Sequence, residues 1–108
     1  MFQKISMADL HEKFKQLAPK ELILDVRTPE EYSDGHIPGS KNIPYDEIEN
    51  HVEELKKVDR IYLHCAAGKR ATIAAQVLIQ KGIKNLFCVS SGGMGDWESA
   101  GFPVKKGN

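Results

Sequence analysis

The segment Ile61-Tyr62-Leu63-His64-Cys65-Ala66-Ala67-Gly68-Lys69-Arg70-Ala71-Thr72-Ile73-Ala74-Ala75-Gln76-Val77-Leu78-Ile79-Gln80-Lys81-Gly82 decides how this chain folds. It opens on a short apolar run, Ile61 to His64. A continuous run of that length, rather than an alternating one, suits a strand covered on both faces. It closes on Arg70 to Lys81, apolar nearly all round through Ala71, Ile73, Ala74, Ala75, Val77, Leu78 and Ile79. The spacing predicts a largely buried helix over 70–81, stopped by Gly82. Between strand and helix lies a loop of small residues that begins with a cysteine.

Working outward, Leu22 to Val26 and Leu86 to Val89 repeat the buried-strand pattern, and Phe2 to Ile5 can add an edge strand. Met7, Leu10, Phe14 and Leu17 share one helical face after Ser6, with Asp9 three residues on as a capping partner. Ile48, Val52 and Leu55 form a second stripe, with Asp46 and Glu49 as its start signal; the charged face from Glu47 to Lys57 is solvated. Thr28-Pro29-Glu30-Glu31 reads as a capping box with proline in the first turn. Strands alternating with helices imply an α/β domain with a central parallel sheet and helices on both faces. Ligands in such folds bind outside the carboxyl ends of the strands, which here are Asp25-Val26-Arg27, His64-Cys65 and Ser90-Ser91-Gly92-Gly93.

At 108 residues the chain, 1–108, is a single domain, with residues 105–108 expected to form a loose tail because they offer nothing to bury. Lys and Arg number 15, as do Asp and Glu, so the formal charge is zero and no general affinity for nucleic acid is expected. No run of about 18 apolar residues is present to span a membrane. Cys65 and Cys88 are the two cysteines, without a C-x-x-C pair or a zinc-ligand spacing. Neither a structural metal nor a cofactor is expected. The N-terminus lacks the apolar stretch of a signal peptide, so the expected compartment is the cytoplasm, with reduced thiols.

The loop Cys65-Ala66-Ala67-Gly68-Lys69-Arg70 is the candidate site. Ala66, Ala67 and Gly68 allow the backbone to curl so that several N–H groups converge. The positive end of the following helix, with Lys69 and Arg70, adds to a field that favours an anion. A thiolate on Cys65 would sit at its centre. Pattern alone leaves an alternative: a packed cysteine ahead of an ordinary strand-to-helix turn.

The rest of the chain bears on that choice. Asp25-Val26-Arg27-Thr28-Pro29-Glu30-Glu31-Tyr32-Ser33-Asp34-Gly35-His36-Ile37-Pro38-Gly39-Ser40-Lys41-Asn42-Ile43-Pro44 resembles the first signature of rhodanese domains. Cys65 to Arg70 is similar to that family's C-x-x-G-x-R active-site loop, and Gly92-Gly93-Met94-Gly95-Asp96-Trp97 to its closing G-G-x-x-x-W element. The three occur in family order over nearly the whole chain. Ala71 departs from the family, many members having serine there. The resemblance implies a rhodanese-like three-layer fold and a sulfurtransferase. Cys65 would be the nucleophile and persulfide carrier. Ala66 to Arg70 would cradle the sulfur through their N–H groups, and Lys69 and Arg70 would hold an anionic donor such as thiosulfate. The acceptor would be a thiol, cyanide or another nucleophile, including a sulfur-accepting protein.

Other polar residues are read as structural. Arg27 is expected to pair with Glu31 while Asp25 accepts backbone hydrogen bonds. His36 orders its loop, and His64 points to the face opposite Cys65 by strand alternation. Cys88 packs within a strand, and Trp97 covers the core. Rival functions are a persulfide relay, a non-catalytic rhodanese-like binding module and a cysteine phosphatase. The phosphatase loop is C-x5-R, whereas only four residues separate Cys65 from Arg70. The loop is therefore one residue short for a tetrahedral phosphate.

Overall fold

The computed structural model describes residues 2–107. Five parallel strands form one sheet: β1 (Gln3–Lys4), β2 (Glu21–Asp25), β3 (Lys41–Asn42), β4 (Arg60–His64) and β5 (Leu86–Cys88). Their order is β1-β5-β4-β2-β3, so β4 is central with β5 and β2 on either side. Leu22 aligns with Ile61 and Leu24 with Leu63, and Leu63 in turn aligns with Cys88. Strand alternation therefore puts Leu24, Leu63 and Cys88 on one face and Ile23, Asp25, Tyr62 and His64 on the other. Two-residue β3 is the strand the hydrophobic pattern did not predict, because Lys41 and Asn42 carry no apolar signal.

Helices α1 (Met7–Phe14), α2 (Pro29–Asp34), α3 (Val52–Leu55), α4 (Lys69–Gln80) and α5 (Met94–Ser99) complete the domain, with a 3-10 helix over Tyr45–His51. One core packs Leu24, Val26, Leu63 and Cys88 against α4 and the Ile48–Leu55 segment. The other packs Ile23 and Tyr62 against Met7 and Leu10 of α1 and Met94 and Trp97 of α5. This is the three-layer arrangement, with the hydrophobic faces of both helix layers turned to the sheet.

Local signals behave as their chemistry dictates. Ser6 Oγ accepts the Asp9 N–H and the Asp9 carboxylate accepts the Ser6 N–H, both at 3.0 Å. Thr28 and Glu31 do the same for α2. The second stripe differs from expectation: Ile48, Val52 and Leu55 are buried, but they sit on a 3-10 helix running into α3, and Asp46 caps nothing. Pro44 occupies the N-cap and has no acceptor side chain, while the Tyr45 N–H is taken by the Val26 carbonyl at 3.0 Å.

Two further expectations are corrected. Helix α4 buries Ala71, Ala74, Ala75 and Leu78, but Ile73 is 36 % exposed and Gln76 and Gln80 face outward. The helix meets the core along one side only, so its apolar girdle exceeds what is buried. The tail is not loose through residue 107: Lys105 pairs with His36 through two 2.9 Å backbone bonds, and the Gly107 N–H reaches the Ser33 carbonyl at 2.8 Å. Asn108 lies outside the described residues. Among the described residues no helix is long and apolar enough to cross a membrane.

Candidate active site

Cys65 follows the last residue of β4 and is 1 % exposed. Its Sγ accepts hydrogen bonds from the Gly68 N–H at 3.1 Å and the Ala71 N–H at 3.3 Å. Those donors come from the loop's last turn and from the first turn of α4, whose N-cap is Gly68 at φ +104°. The N–H groups of Ala66, Ala67, Lys69 and Arg70 have no backbone acceptor among the described residues. A sulfur met by two backbone donors, with four more in the same six-residue loop, is suited to carry negative charge. Ala66, Ala67 and Lys69 are exposed around it.

A second loop locks this one in place. The Met94 N–H donates to the Cys65 carbonyl at 3.0 Å. A Cβ on Gly93 would stand 2.1 Å from that carbonyl oxygen, and one on Gly68 would stand 2.2 Å from the Ser90 carbonyl. The two glycines are where the loop after β4 and the loop after β5 touch backbone to backbone. Asp96 closes the turn by accepting the Gly93 N–H at 3.0 Å. Trp97 is fully buried beneath it, its Nε1–H donating to the Pro103 carbonyl at 2.7 Å.

The charged residues sort differently from the sequence expectation. Arg27 does not pair with Glu31. Its guanidinium grips the buried carboxylate of Asp25, with Nε 2.9 Å from Oδ1 and Nη2 2.7 Å from Oδ2, and also donates to the Gly35 carbonyl at 2.7 Å. Asp25 does accept a backbone bond as expected, from the Arg27 N–H at 3.1 Å. Glu31 instead holds Arg70, through Nη1–Oε1 at 2.7 Å and Nη2–Oε2 at 3.0 Å. The Arg70 guanidinium, and after it the Thr28 N–H and hydroxyl, bring the Glu31 carboxyl down to about 2. Spacing could not reveal this pair, because its members are 39 residues apart.

His36 is buried, stacks on Tyr32 with ring centres 3.7 Å apart, and has Nδ1 2.8 Å from the Tyr32 carbonyl, all consistent with ordering its loop. His64 is fully buried on the face opposite Cys65. Neither of its ring nitrogens has a partner among the described residues, and Nε2 is 3.9 Å from Asp25 Oδ2. Burial pushes its basicity down, and Asp25 only partly opposes this. The unfolded chain therefore takes up a proton near pH 6.5 that the folded chain refuses, so stability is lost as pH falls below about 6.5. Urea unfolding of the wild type should show that loss between pH 7 and 5, at up to about 1.4 kcal/mol per pH unit for the one proton. His64→Phe should remove this part of the slope; an unchanged slope would assign the acid sensitivity to other groups.

Two surface clefts lie among Gln3, Ile79 and Asn85 and among Phe2, Gln76 and Gln80, and neither includes Cys65. The candidate site is instead the Cys65 loop, where two backbone N–H groups reach the sulfur.

The fold is shared with known proteins. The rhodanese-like domain family model matches residues 6–100. The chain belongs to the rhodanese-like domain family. It is 42 % identical over 89 residues to the "Putative sulfur carrier protein YrkF" of Bacillus subtilis, covering 80 % of this chain and 48 % of that protein. The chain thus spans about half the length of that relative. It is 33 % identical over 101 residues to the thiosulfate sulfurtransferase GlpE of Pseudoalteromonas translucida, covering 92 % and 91 % of the two chains. Among solved structures, a rhodanese-related protein from Thermoplasma volcanium superposes with a TM-score of 0.81 at 35 % identity, covering 96 % of this chain and 98 % of the other. A protein of unknown function from Rhodopseudomonas palustris, described as a "Possible Tyrosine Phosphatase", superposes with a TM-score of 0.87 at 27 % identity, covering 96 % and 85 %.

Proposed function

We propose that this chain is a sulfurtransferase that carries a sulfane sulfur as a persulfide on Cys65. The observation that carries the reading is the Cys65 sulfur itself, set at a strand end with the Gly68 and Ala71 N–H groups upon it. The similarity to proteins named as sulfurtransferases supports it.

In the first half-reaction the Cys65 thiolate attacks the outer sulfur of a donor such as thiosulfate. A new S–S bond forms, the donor's S–S bond breaks, and sulfite leaves with its electron pair. In the second, an acceptor thiolate or cyanide attacks the outer sulfur, and the Cys65 thiolate is regenerated. No proton need be taken from a thiolate, so a general base is not required. The free N–H groups of Ala66, Ala67, Lys69 and Arg70 hold the outer sulfur, and their fixed dipoles stabilise charge at the moment of transfer. Passage of the sulfur to a protein thiol is a second reading, favoured by the likeness to a relative named as a sulfur carrier.

Loop length separates this from phosphatase chemistry. A persulfide's outer sulfur is one atom and fits a small ring of donors, whereas a phosphoryl group brings three oxygens. Wild-type turnover of thiosulfate with cyanide should therefore exceed hydrolysis of an aryl phosphate by at least about 100-fold, a difference of a few kcal/mol in transition-state binding. The two are measured side by side with Cys65→Ser as the blank. Cys65-dependent hydrolysis above sulfur transfer would overturn the proposal.

A further inference from the structure

We propose that Arg70 is a positioning residue, braced by Glu31 to hold the first turn of α4 against the Cys65 sulfur, and that Lys69 supplies the free positive charge that draws an anionic donor. The proposal rests on the sulfur-transfer reading above and divides the work of two adjacent cations.

The brace is a two-toothed fork, both Nη groups of Arg70 on both oxygens of Glu31 at 2.7 and 3.0 Å. Such a pairing fixes orientation as well as charge. The carboxylate is itself anchored, since Oε1 also accepts the Thr28 N–H and hydroxyl, each at 3.1 Å. Glu31 is thus tied to the capped start of α2, and through Arg70 it reaches across to α4. The residue after Arg70 is Ala71, whose N–H lies 3.3 Å from Cys65 Sγ. A tether on the Arg70 side chain therefore steadies a donor to the reacting sulfur.

The same pairing removes Arg70 from donor capture. A cation and an anion in contact leave only a dipole, whose field dies away faster than that of a single charge and is further screened by salt. Lys69 is exposed and takes part in no ion pair among the described residues. Its ammonium remains uncompensated at the mouth of the loop.

The experiment combines steady-state kinetics with thiosulfate and cyanide, alkylation of Cys65 by neutral iodoacetamide across pH, and thermal melting of each variant. Lys69→Gln should raise KM for thiosulfate about 5-fold with kcat little changed, and the difference should close in 0.5 M salt, roughly a 4 Å Debye length. Glu31→Gln with Arg70→Gln replaces one neutral pair by another. It should leave KM within about 2-fold yet lower kcat about 10-fold, the effect of loosening a preorganised donor. It should also alter the alkylation midpoint, because a donor to the sulfur loosens. Arg70→Lys keeps the charge without the fork and should lower kcat as the double variant does; it serves as the test where the double variant melts early. A double variant whose KM rises as far as that of Lys69→Gln, with the same salt dependence, would overturn the proposal by placing Arg70 on the donor. An unchanged kcat and alkylation profile would overturn it by showing that the brace steadies nothing. Alkylation needs no sulfur transfer, so a wild type inactive on thiosulfate would fail the sulfurtransferase reading while the midpoint still reports on the brace.

Discussion

Cys65→Ser should gain no sulfur when incubated with thiosulfate, whereas the wild type and Cys88→Ser should each gain a single sulfur atom by intact mass. Turnover with cyanide should fall by at least about 10³-fold in Cys65→Ser, as expected when a covalent nucleophile is removed and only binding is left. The two thiols differ in what surrounds them. Cys65 Sγ receives two backbone N–H groups at the mouth of α4. Cys88 is buried within β5, and burial pushes its thiol up to about 11, so at neutral pH it stays protonated and unreactive. Nor can Cys88 substitute by exchange through an intramolecular disulfide. Cys88 aligns with Leu63, so Cys65 lies one strand across and two residues along. That places the Cα atoms about 8 Å apart, beyond the roughly 7 Å a disulfide spans without backbone movement. Sulfur retained by Cys65→Ser would refute the assignment.

Gly68→Ala should be strongly damaging, because it combines a left-handed backbone with a collision against a neighbouring loop. The position has φ +104°, and an added Cβ would meet the Ser90 carbonyl oxygen at 2.2 Å and its carbon at 2.5 Å. Those are backbone atoms of the neighbouring loop and cannot swing aside. Gly82, at φ +85° with nothing within 4 Å of its would-be Cβ, is the control for backbone conformation alone. Gly82→Ala should cost about 1–2 kcal/mol, the usual penalty for a left-handed alanine. Gly68→Ala should cost at least about 3 kcal/mol, the range of strained and overpacked sites. At about 4–8 °C per kcal/mol, Gly68→Ala should melt more than about 10 °C below the wild type. Sulfur loading should fall with it, because moving Gly68 withdraws its N–H from Cys65 Sγ. Equal melting points for the two variants would mean that the loops separate at no cost.

Much of the fold is legible because its signals are local. Strands β2, β4 and β5 announce themselves as short apolar runs, since both faces of a parallel sheet are covered. The caps at Ser6 and Thr28 are readable because a hydroxyl and a carboxylate three residues apart satisfy each other within one turn. Cys65 stands out for a similar reason: small residues between a strand and a helix let the backbone curl, whatever the rest of the chain does. Helix α5 carries too few apolar residues for a periodic signal, and β3 carries none; both exist because the sheet edge and the Trp97 site accept them.

What the amino-acid order determined by itself was the alternation of strands and helices, the position of the candidate nucleophile and the length of its loop. Tertiary structure decided the partners of the charges. Arg27 could have reached Glu31, four residues on, but takes Asp25 at the end of β2, where a buried carboxylate needs a cation more than a half-exposed one does. Glu31 is thereby left to Arg70, 39 residues away. Burial, which sets the cost of leaving a charge unpaired, is known only once the chain is folded. For that reason the candidate nucleophile could be found from sequence, and the Glu31–Arg70 pair beside it could not.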